Sequence, residues 1–216
     1  YGMIFDMDGV LVDTAEPHFQ SWKMAGHDLG FDMTRELFHK TFGMTNQRIA
    51  PIVFGREVTP DETAEMADIK ESYYREIVAE KVEIVPGVLE FIDELHADDG
   101  WKIAVGSSTP IENVELILDI MGVAEKFDAL VAGGDVVHGK PDPDAFLMAA
   151  RKLGIPPASC LVAEDAPVGI EAALAAEMKC VALSITHAPE KLTAAHVVRE
   201  DFVGFTAEDA AALIES

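Results

Sequence analysis

The sequence predicts an α/β fold, a doubly wound parallel sheet with a small all-helical domain inserted after its first strand. Short apolar runs alternate with longer amphipathic segments, and one long interval contains only helical patterns. The apolar runs are nearly continuous, which is typical of strands that are buried on both faces of a parallel sheet. Alternation of such strands with helices indicates repeated strand–helix–strand units.

The predicted elements follow one another in a regular order. We expect strands at residues 2–6, 102–107, 128–132, 159–163 and 180–185, with a weaker one at 202–205. Helices are expected between them at residues 87–98, 111–121, 143–153 and 167–177. Pro86 precedes one predicted helix, and Gly122 and Gly154 follow two others, at positions where these residues commonly begin or end helices.

The interval 14–85 breaks this alternation. Its helical patterns cover residues 15–29, 34–40, 46–54 and 60–80, and it contains no convincing strand. We therefore expect an α/β core made of residues 1–13 and 86–216. Residues 14–85 are expected to form a helical cap over the edge of the sheet where ligands bind.

Composition excludes several functional classes. The 216 residues are 49% hydrophobic and 25% charged, which is typical of a folded protein with a sizeable core. Their net charge of −23 opposes binding to nucleic acids and to anionic membranes. No apolar run is long enough for a transmembrane helix, and YGMIFDMDG lacks the pattern of a secretory signal, so we expect a cytoplasmic protein. Cys160 and Cys180 lie in apolar stretches, which favours buried, reduced thiols over a disulfide or a metal pair.

Polar residues follow four predicted strands at the point where each strand ends. They are Asp6 and Asp8 in FDMDGVLVDT, Ser107 and Ser108 in VGSST, Lys140 in GKPDPD, and Glu164 and Asp165 in VAEDAPVG. Ligands of open α/β sheets bind outside the carboxyl ends of the strands, so we expect these residues to share one site. Carboxylates this close cannot all be ionised without a cation, and ligands that are all oxygens suit Mg²⁺ above other ions.

These residue types indicate phosphoryl transfer. A magnesium ion, an ammonium group and a hydroxyl around a carboxylate can neutralise and position a phosphoryl group. Asp6 can attack phosphorus to give an aspartyl-phosphate, and Asp8 can protonate the leaving oxygen and later accept a proton from water. Ser107 and Lys140 would then bind the oxygens of the transferred group.

Each motif taken alone has a simpler explanation. The acidic turn could be solvated, Ser107 could cap the helix that follows it, and Lys140 could lie on the surface. Glu164 and Asp165 could likewise cap a helix. The order of the motifs and their shared position at successive strand ends favour a phosphoryl-transfer site.

The four motifs, in this order, resemble the signature motifs of the haloacid dehalogenase superfamily, and the resemblance covers essentially the whole chain. It implies a Rossmann-like core with a helical cap, Asp6 as the nucleophile and Asp8 as the acid/base. Ser107 and Lys140 would bind the phosphoryl group. The implied Mg²⁺ ligands are Asp6, the backbone carbonyl of Asp8, Glu164 and Asp165. Dehalogenases themselves are disfavoured because they lack the second aspartate of the first motif.

The stretch DTAEPHFQSWK resembles the hinge segment of β-phosphoglucomutases and related sugar-phosphate phosphatases. By this resemblance Thr14 and His18 would contribute to substrate binding. They would also couple cap closure to the acid/base aspartate. Simple exposure of His18 on a helix surface is an equal alternative. Trp22 is expected in the core of the helical insert.

Three cap positions bear on the choice between mutase and phosphatase. In β-phosphoglucomutases an arginine closes a GVSR-type segment and grips the second phosphate of a bisphosphate. The matching segment here is GMTN in FGMTNQR, so Asn46 stands at that position and Arg48 lies two residues on. Lys70 resembles a second cationic position, with a solvated lysine on a long helix as an equal alternative. The neutral Asn46 favours water as the phosphoryl acceptor.

We therefore expect a Mg²⁺-dependent phosphatase of small phosphomonoesters, with sugar phosphates as the expected class. A β-phosphoglucomutase-like phosphosugar mutase is the alternative, and residues 42–48 and the region near Lys70 are expected to set specificity. A phosphonatase would need a Schiff-base lysine in the cap, for which Lys23 is the only candidate. A non-catalytic module is disfavoured because Asp6, Asp8 and Lys140 are all present. The expected partner is a small phosphorylated metabolite, and a monomer is compatible with a site enclosed by core and cap.

Overall fold

A computed structural model of the chain describes residues 1–41 and 44–216. It divides into two compact units, one made of Tyr1–Asp13 and Glu83–Ser216 and the other of Thr14–Val82. Residues 42 and 43, which begin the segment expected to set specificity, lie outside the described residues.

A parallel sheet with the strand order β5-β4-β1-β6-β7-β8 forms the centre of the first unit. In chain order the described strands are β1 (Gly2–Phe5), β2 (Val12–Asp13), β3 (Glu83–Ile84), β4 (Lys102–Gly106), β5 (Ala129–Val131), β6 (Cys160–Glu164), β7 (Lys179–Leu183) and β8 (Val197–Arg199). The short strands β2 and β3 form a separate antiparallel pair. The strand order confirms the predicted α/β class and places β1 between β4 and β6.

Helices cover both faces of this sheet, which explains why its strands are apolar throughout. The described helices are α1 (Ala15–Leu29), α2 (Arg35–Thr41), α3 (Asn46–Phe54), α4 (Pro60–Glu80), α5 (Val88–His96), α6 (Ile111–Met121), α7 (Asp144–Leu153), α8 (Pro167–Ala175) and α9 (Ala207–Glu215). On one face Ile4 of β1 shares a buried cluster with Phe146 of α7 and Ile170 of α8. On the other face the ring of Phe5 packs edge-on against Phe91 of α5 at a centroid distance of 6.0 Å.

The structure corrects the sequence analysis in two places. The interval 14–85 is not free of strand, because Ile84 pairs with Val12 and draws residues 83–85 into the first unit. The strand expected at 202–205 is wrong, and the last strand is β8 instead. Residues 202–205 form a loop in which Phe202 and Phe205 are buried while Val203 is 60% exposed. The ring of Phe202 stacks on that of Phe91 at a centroid distance of 5.3 Å.

The second unit consists of α1 to α4 within its described residues, and these helices begin and end within a residue or so of the predicted positions. Its apolar core includes Phe19 and Trp22 of α1 and Met66 of α4, which confirms the core position expected for Trp22. Helix α4 begins with a capping box in which Thr59 and Glu62 each accept a hydrogen bond from the other's backbone N–H.

The two cysteines are buried and form no disulfide, as expected from the sequence. In the described part of the chain, no helix combines the length and the apolar character that crossing a membrane requires.

Two glycines provide a matched test of the packing of the first unit. Gly87 has a φ of +78°, and a Cβ added there would lie 2.5 Å from the backbone of Phe202. Gly122 has a similar φ of +69° but nothing within 4 Å of an added Cβ. We expect Gly122→Ala to lower the free energy of unfolding by about 1 kcal/mol, and Gly87→Ala to lower it by about 3 kcal/mol or more. Urea unfolding followed by circular dichroism measures both, and equal losses would contradict the close backbone contact.

Candidate active site

The carboxyl ends of three neighbouring strands bring the predicted motifs together. Asp6 follows β1 at the centre of the sheet, and its backbone N–H donates to the carbonyl of Ala163 on β6 at 2.9 Å. Ser107 follows β4, and Glu164 is the last residue of β6. Because the strands are parallel, all three residues lie at the same edge of the sheet.

Carboxylates and one ammonium group are buried together at this edge. Oxygen atoms of Asp6, Glu164 and Asp165 lie within 4.8 Å of one another, and all three residues are buried. Lys140 Nζ lies 2.9 Å from Asp6 Oδ1 and 2.5 Å from Glu164 Oε1. The side chain of Lys140 is only 9% exposed and its ammonium lies over the ring of Phe146, so it is not a surface lysine.

Burial and mutual repulsion shift the pKa values of this cluster. Burial raises the pKa of Asp6 to about 7; Lys140 opposes the rise, and the charges of Glu164 and Asp8 add to it. Burial also raises the pKa of Asp165 well above its usual range, with repulsion from Glu164 and Asp6 next in size. For Lys140 burial acts against the charged form, but attraction to Asp6 and Glu164 outweighs it and raises the pKa of the ammonium. The excess of negative charge therefore resides on the carboxylates, where protons or a metal ion must balance it.

Glu164 combines a structural with a candidate functional contact. Its Oε2 accepts hydrogen bonds from the backbone N–H groups of Asp165 at 2.8 Å and Ala166 at 2.9 Å, just before α8 begins. Its Oε1 accepts from Lys140. The helix-capping explanation of this motif therefore holds for one oxygen, while the other faces the buried cluster.

Two glycines make room for these carboxylates. A Cβ on Gly9, which follows Asp8 with a φ of +74°, would lie 2.1 Å from Oδ2 of Asp165. A Cβ on Gly169 in α8 would lie 1.8 Å from Oε1 of Glu164. Neither glycine is predicted from the sequence to have a role, although each stands within one of the four motifs. Any side chain at these positions would displace a carboxylate of the cluster.

Asp8 is held by a residue that the sequence analysis did not select. Oγ1 of Thr109 donates to Oδ2 of Asp8 at 2.7 Å, and the backbone N–H of Thr109 donates to Oγ of Ser107 at 3.2 Å. The N-cap position of α6 is Pro110, so Ser107 does not cap that helix. Thr109 directly follows the two serines of the second motif. This position is the sequence feature from which its role could have been predicted. Ser108 between them is exposed.

The donor set of this cluster fits a hard divalent cation. All three groups are carboxylates, they are buried within reach of a single ion, and two glycines leave space beside them. Oxygen donors without histidine or cysteine suit Mg²⁺ in particular. A second group of possible ligands, His138, Asp142 and Asp144, is largely solvent-accessible, and Asp142 accepts a hydrogen bond from the backbone of Asp144.

The helical unit buries Lys70 instead of exposing it. Its Nζ lies 2.8 Å from Nδ1 of His18 and 2.9 Å from Oε1 of Glu71, and it lies over the rings of Trp22 and Tyr74. The ring of His18 stacks on Tyr74 at a centroid distance of 4.2 Å. The alternative of a solvated lysine is therefore wrong, because the adjacent Glu71 pairs with it inside the core of this unit.

The other predicted cap residues occupy ordinary helix positions. Thr14 is buried at the N-cap of α1, where its carbonyl accepts from the backbone N–H of His18. Asn46 is the first residue of α3, and Arg48 is exposed one turn into that helix.

Comparison with known proteins identifies the family. The sequence model of the haloacid dehalogenase-like hydrolases matches residues 2–177. The chain belongs to this family. Its curated relatives include a fructose-1-phosphate phosphatase of Escherichia coli, 32% identical over 83% of this chain and 94% of the relative. A β-phosphoglucomutase of Bacillus subtilis is 32% identical over 83% of this chain and 81% of its own length.

A solved structure of this family shares the fold over nearly the whole chain. The β-phosphoglucomutase of Clostridium difficile superposes with a TM-score of 0.87 and 28% identity, covering 99% of this chain and 96% of the other. The predicted recognition of the haloacid dehalogenase family from four short motifs is thereby confirmed.

The raised pKa of Asp6 predicts a pH dependence of stability in this hydrolase when metal is removed. The folded state binds a proton at Asp6 more tightly than the unfolded chain does, so stability is present at low pH and is lost as pH rises from about 4 through about 7. The asparagine of Asp6→Asn has no ionisable proton and stays neutral at every pH in this range. We therefore expect the melting temperature of Asp6→Asn, minus that of the unchanged protein, to be larger at pH 8 than at pH 5 in EDTA.

The matched control is Glu115→Gln, which removes one carboxylate from the exposed face of α6. Its melting-temperature difference should change little between the two pH values. A difference for Asp6→Asn that is the same at pH 5 and pH 8 would contradict the unfavourable burial of the Asp6 carboxylate.

Proposed function

We propose that this chain is a Mg²⁺-dependent phosphatase that hydrolyses small phosphomonoesters, with sugar phosphates as the substrate class. The observation that supports it most is the buried cluster in which Asp6 at the end of the central strand meets Lys140, Glu164 and Asp165. A carboxylate held among a lysine and metal-binding acids is suited to attack a phosphoryl group. The Escherichia coli relative named as a fructose-1-phosphate phosphatase supports the substrate class.

In the first step Oδ of Asp6 forms a bond to phosphorus while the bond from phosphorus to the substrate's ester oxygen breaks. Asp8 donates its proton to that leaving oxygen, which departs as an alcohol. Lys140 and Ser107 bind oxygens of the transferring phosphoryl group. Mg²⁺, when held by Asp6, the backbone carbonyl of Asp8, Glu164 and Asp165, would supply charge neutralisation.

In the second step water attacks phosphorus of the aspartyl-phosphate and the bond to Asp6 breaks. Asp8 accepts a proton from that water, so both aspartates return to their starting states. The hydroxyl of Thr109 donates a hydrogen bond to Oδ2 of Asp8 and so fixes the position of this carboxyl group. Thr109 thus orients the acid/base for both steps.

Two residues of the helical unit favour hydrolysis over mutase chemistry. A mutase must hold a second phosphate, which requires cations beyond those that bind the reacting group. Asn46 is neutral, and the charge of Lys70 is balanced within its own unit by the buried Glu71. We propose that this unit is a cap domain whose residues 44–48 and Lys70 influence substrate choice. The relative named as a β-phosphoglucomutase keeps mutase activity as the second candidate.

Replacement of the nucleophile tests the proposed reaction. With Mg²⁺ and p-nitrophenyl phosphate, Asp6→Asn should lower kcat by about a thousandfold or more, because an amide cannot form the covalent intermediate. EDTA should abolish turnover of the unchanged protein, and added Mg²⁺ should restore it. Glu115→Gln should retain full activity. Substantial turnover by Asp6→Asn would reject the assignment of the nucleophile.

The choice between hydrolysis and mutase activity is tested with one substrate. The protein is supplied with β-glucose 1-phosphate, Mg²⁺ and a trace of glucose 1,6-bisphosphate, and both inorganic phosphate and glucose 6-phosphate are measured. We expect phosphate release without glucose 6-phosphate, since water is the acceptor. Glucose 6-phosphate formed without phosphate release would establish the mutase instead.

A further inference from the structure

The loop that follows β7 carries a polar residue that lies outside the four motifs. Thr186 comes three residues after the end of β7, and β7 is the parallel neighbour of β6. The hydroxyl of Thr186 donates a hydrogen bond to Oδ2 of Asp165. A fifth strand end therefore delivers a group to the same edge of the sheet as the predicted site.

Oδ2 of Asp165 is enclosed by two independent contacts. The backbone of Gly9 lies against it, so closely that a Cβ there would lie 2.1 Å away. Thr186 supplies the hydrogen bond to the same oxygen. A hydroxyl donor and a backbone segment therefore both fix the position of Oδ2.

The Thr186 hydroxyl has a second polar neighbour. Nδ1 of His187 lies 2.9 Å from Oγ1 of Thr186. A hydroxyl carries one proton, and here that proton is donated to Asp165. Nδ1 of His187 therefore lies beside the hydroxyl while the hydroxyl proton is donated to Asp165.

We propose that Thr186 is a positioning residue of the metal site, which holds Asp165 through Oδ2 so that Oδ1 is presented to Mg²⁺. The inference rests on the proposed function, because that function assigns Asp165 as a metal ligand. Outer partners that orient a ligating carboxylate typically contribute tenfold to a hundredfold to metal affinity. Thr186 touches neither the phosphoryl group nor the reacting atoms in this assignment.

Isothermal titration of the metal-free protein with Mg²⁺, in the absence of substrate, tests the proposal. Thr186→Val keeps the shape of the side chain and removes the hydroxyl, and it should raise the Kd for Mg²⁺ by about tenfold. Thr186→Ser keeps the hydroxyl and should stay within about threefold of the unchanged protein. Ser184→Ala is the matched control, because it removes a nearby hydroxyl that donates to the carbonyl of Arg199. In turnover assays Thr186→Val should raise the Mg²⁺ concentration for half-maximal rate while kcat at saturating Mg²⁺ changes little.

Equal Mg²⁺ affinity for Thr186→Val and the unchanged protein would overturn the proposal, as would an equal loss in Thr186→Val and Thr186→Ser. If Thr186→Val does not fold, Thr186→Ala and Thr186→Ser give the same comparison. The titration distinguishes failure of the metal site from failure of the role of Thr186. Mg²⁺ binding that is insensitive to the hydroxyl rejects only the role of Thr186, whereas no Mg²⁺ binding to the unchanged protein rejects the metal site and this inference together.

Discussion

Three carboxylates and one ammonium group are buried at a single sheet edge, and their burial constrains the residues around them. Taking charges out of water is costly unless each is paired and hydrogen-bonded. Asp6 and Glu164 share one lysine and Asp165 lies beside them, so the protein must supply further partners. Backbone N–H groups before α8 provide two of them for Glu164. The remaining excess of negative charge is what makes the site suited to a cation.

This constraint explains residues that carry no charge. Gly9 and Gly169 are needed because a carboxylate oxygen lies where their side chains would stand. The central position of β1 follows from the same requirement. Only a strand with neighbours on both sides can place Asp6 between Ser107, which follows β4, and Glu164, which ends β6. At this edge the same residues determine both the packing and the arrangement of the charged groups, so a substitution that alters one also alters the other.

The helical unit shows the opposite balance of charge. Lys70 is buried against His18, Trp22 and Tyr74, and Glu71 neutralises it within the same unit. A net charge of −23 on the whole chain makes cations scarce, so the way each buried cation is paired bears on which anions the protein can bind. Within the first unit Lys140 pairs with the candidate nucleophile and a candidate metal ligand, whereas Lys70 pairs with an acid of its own helix.

The amino-acid sequence is sufficient to predict the α/β class, the helical insert and the four motifs, because periodicity and the chemistry of neighbouring residues are local properties. It predicted five of the six strands of the parallel sheet and the acids that end two of them. Tertiary structure decided what local pattern cannot encode: that Thr109 holds Asp8 from 101 residues away, and that Thr186 meets Asp165. Tertiary packing also buries Phe202 and Phe205 in the loop at 202–205, leaves Val203 exposed, and buries Lys70. These outcomes depend on strand order and on the direction of side chains across the sheet, and both arise only when distant segments pack together.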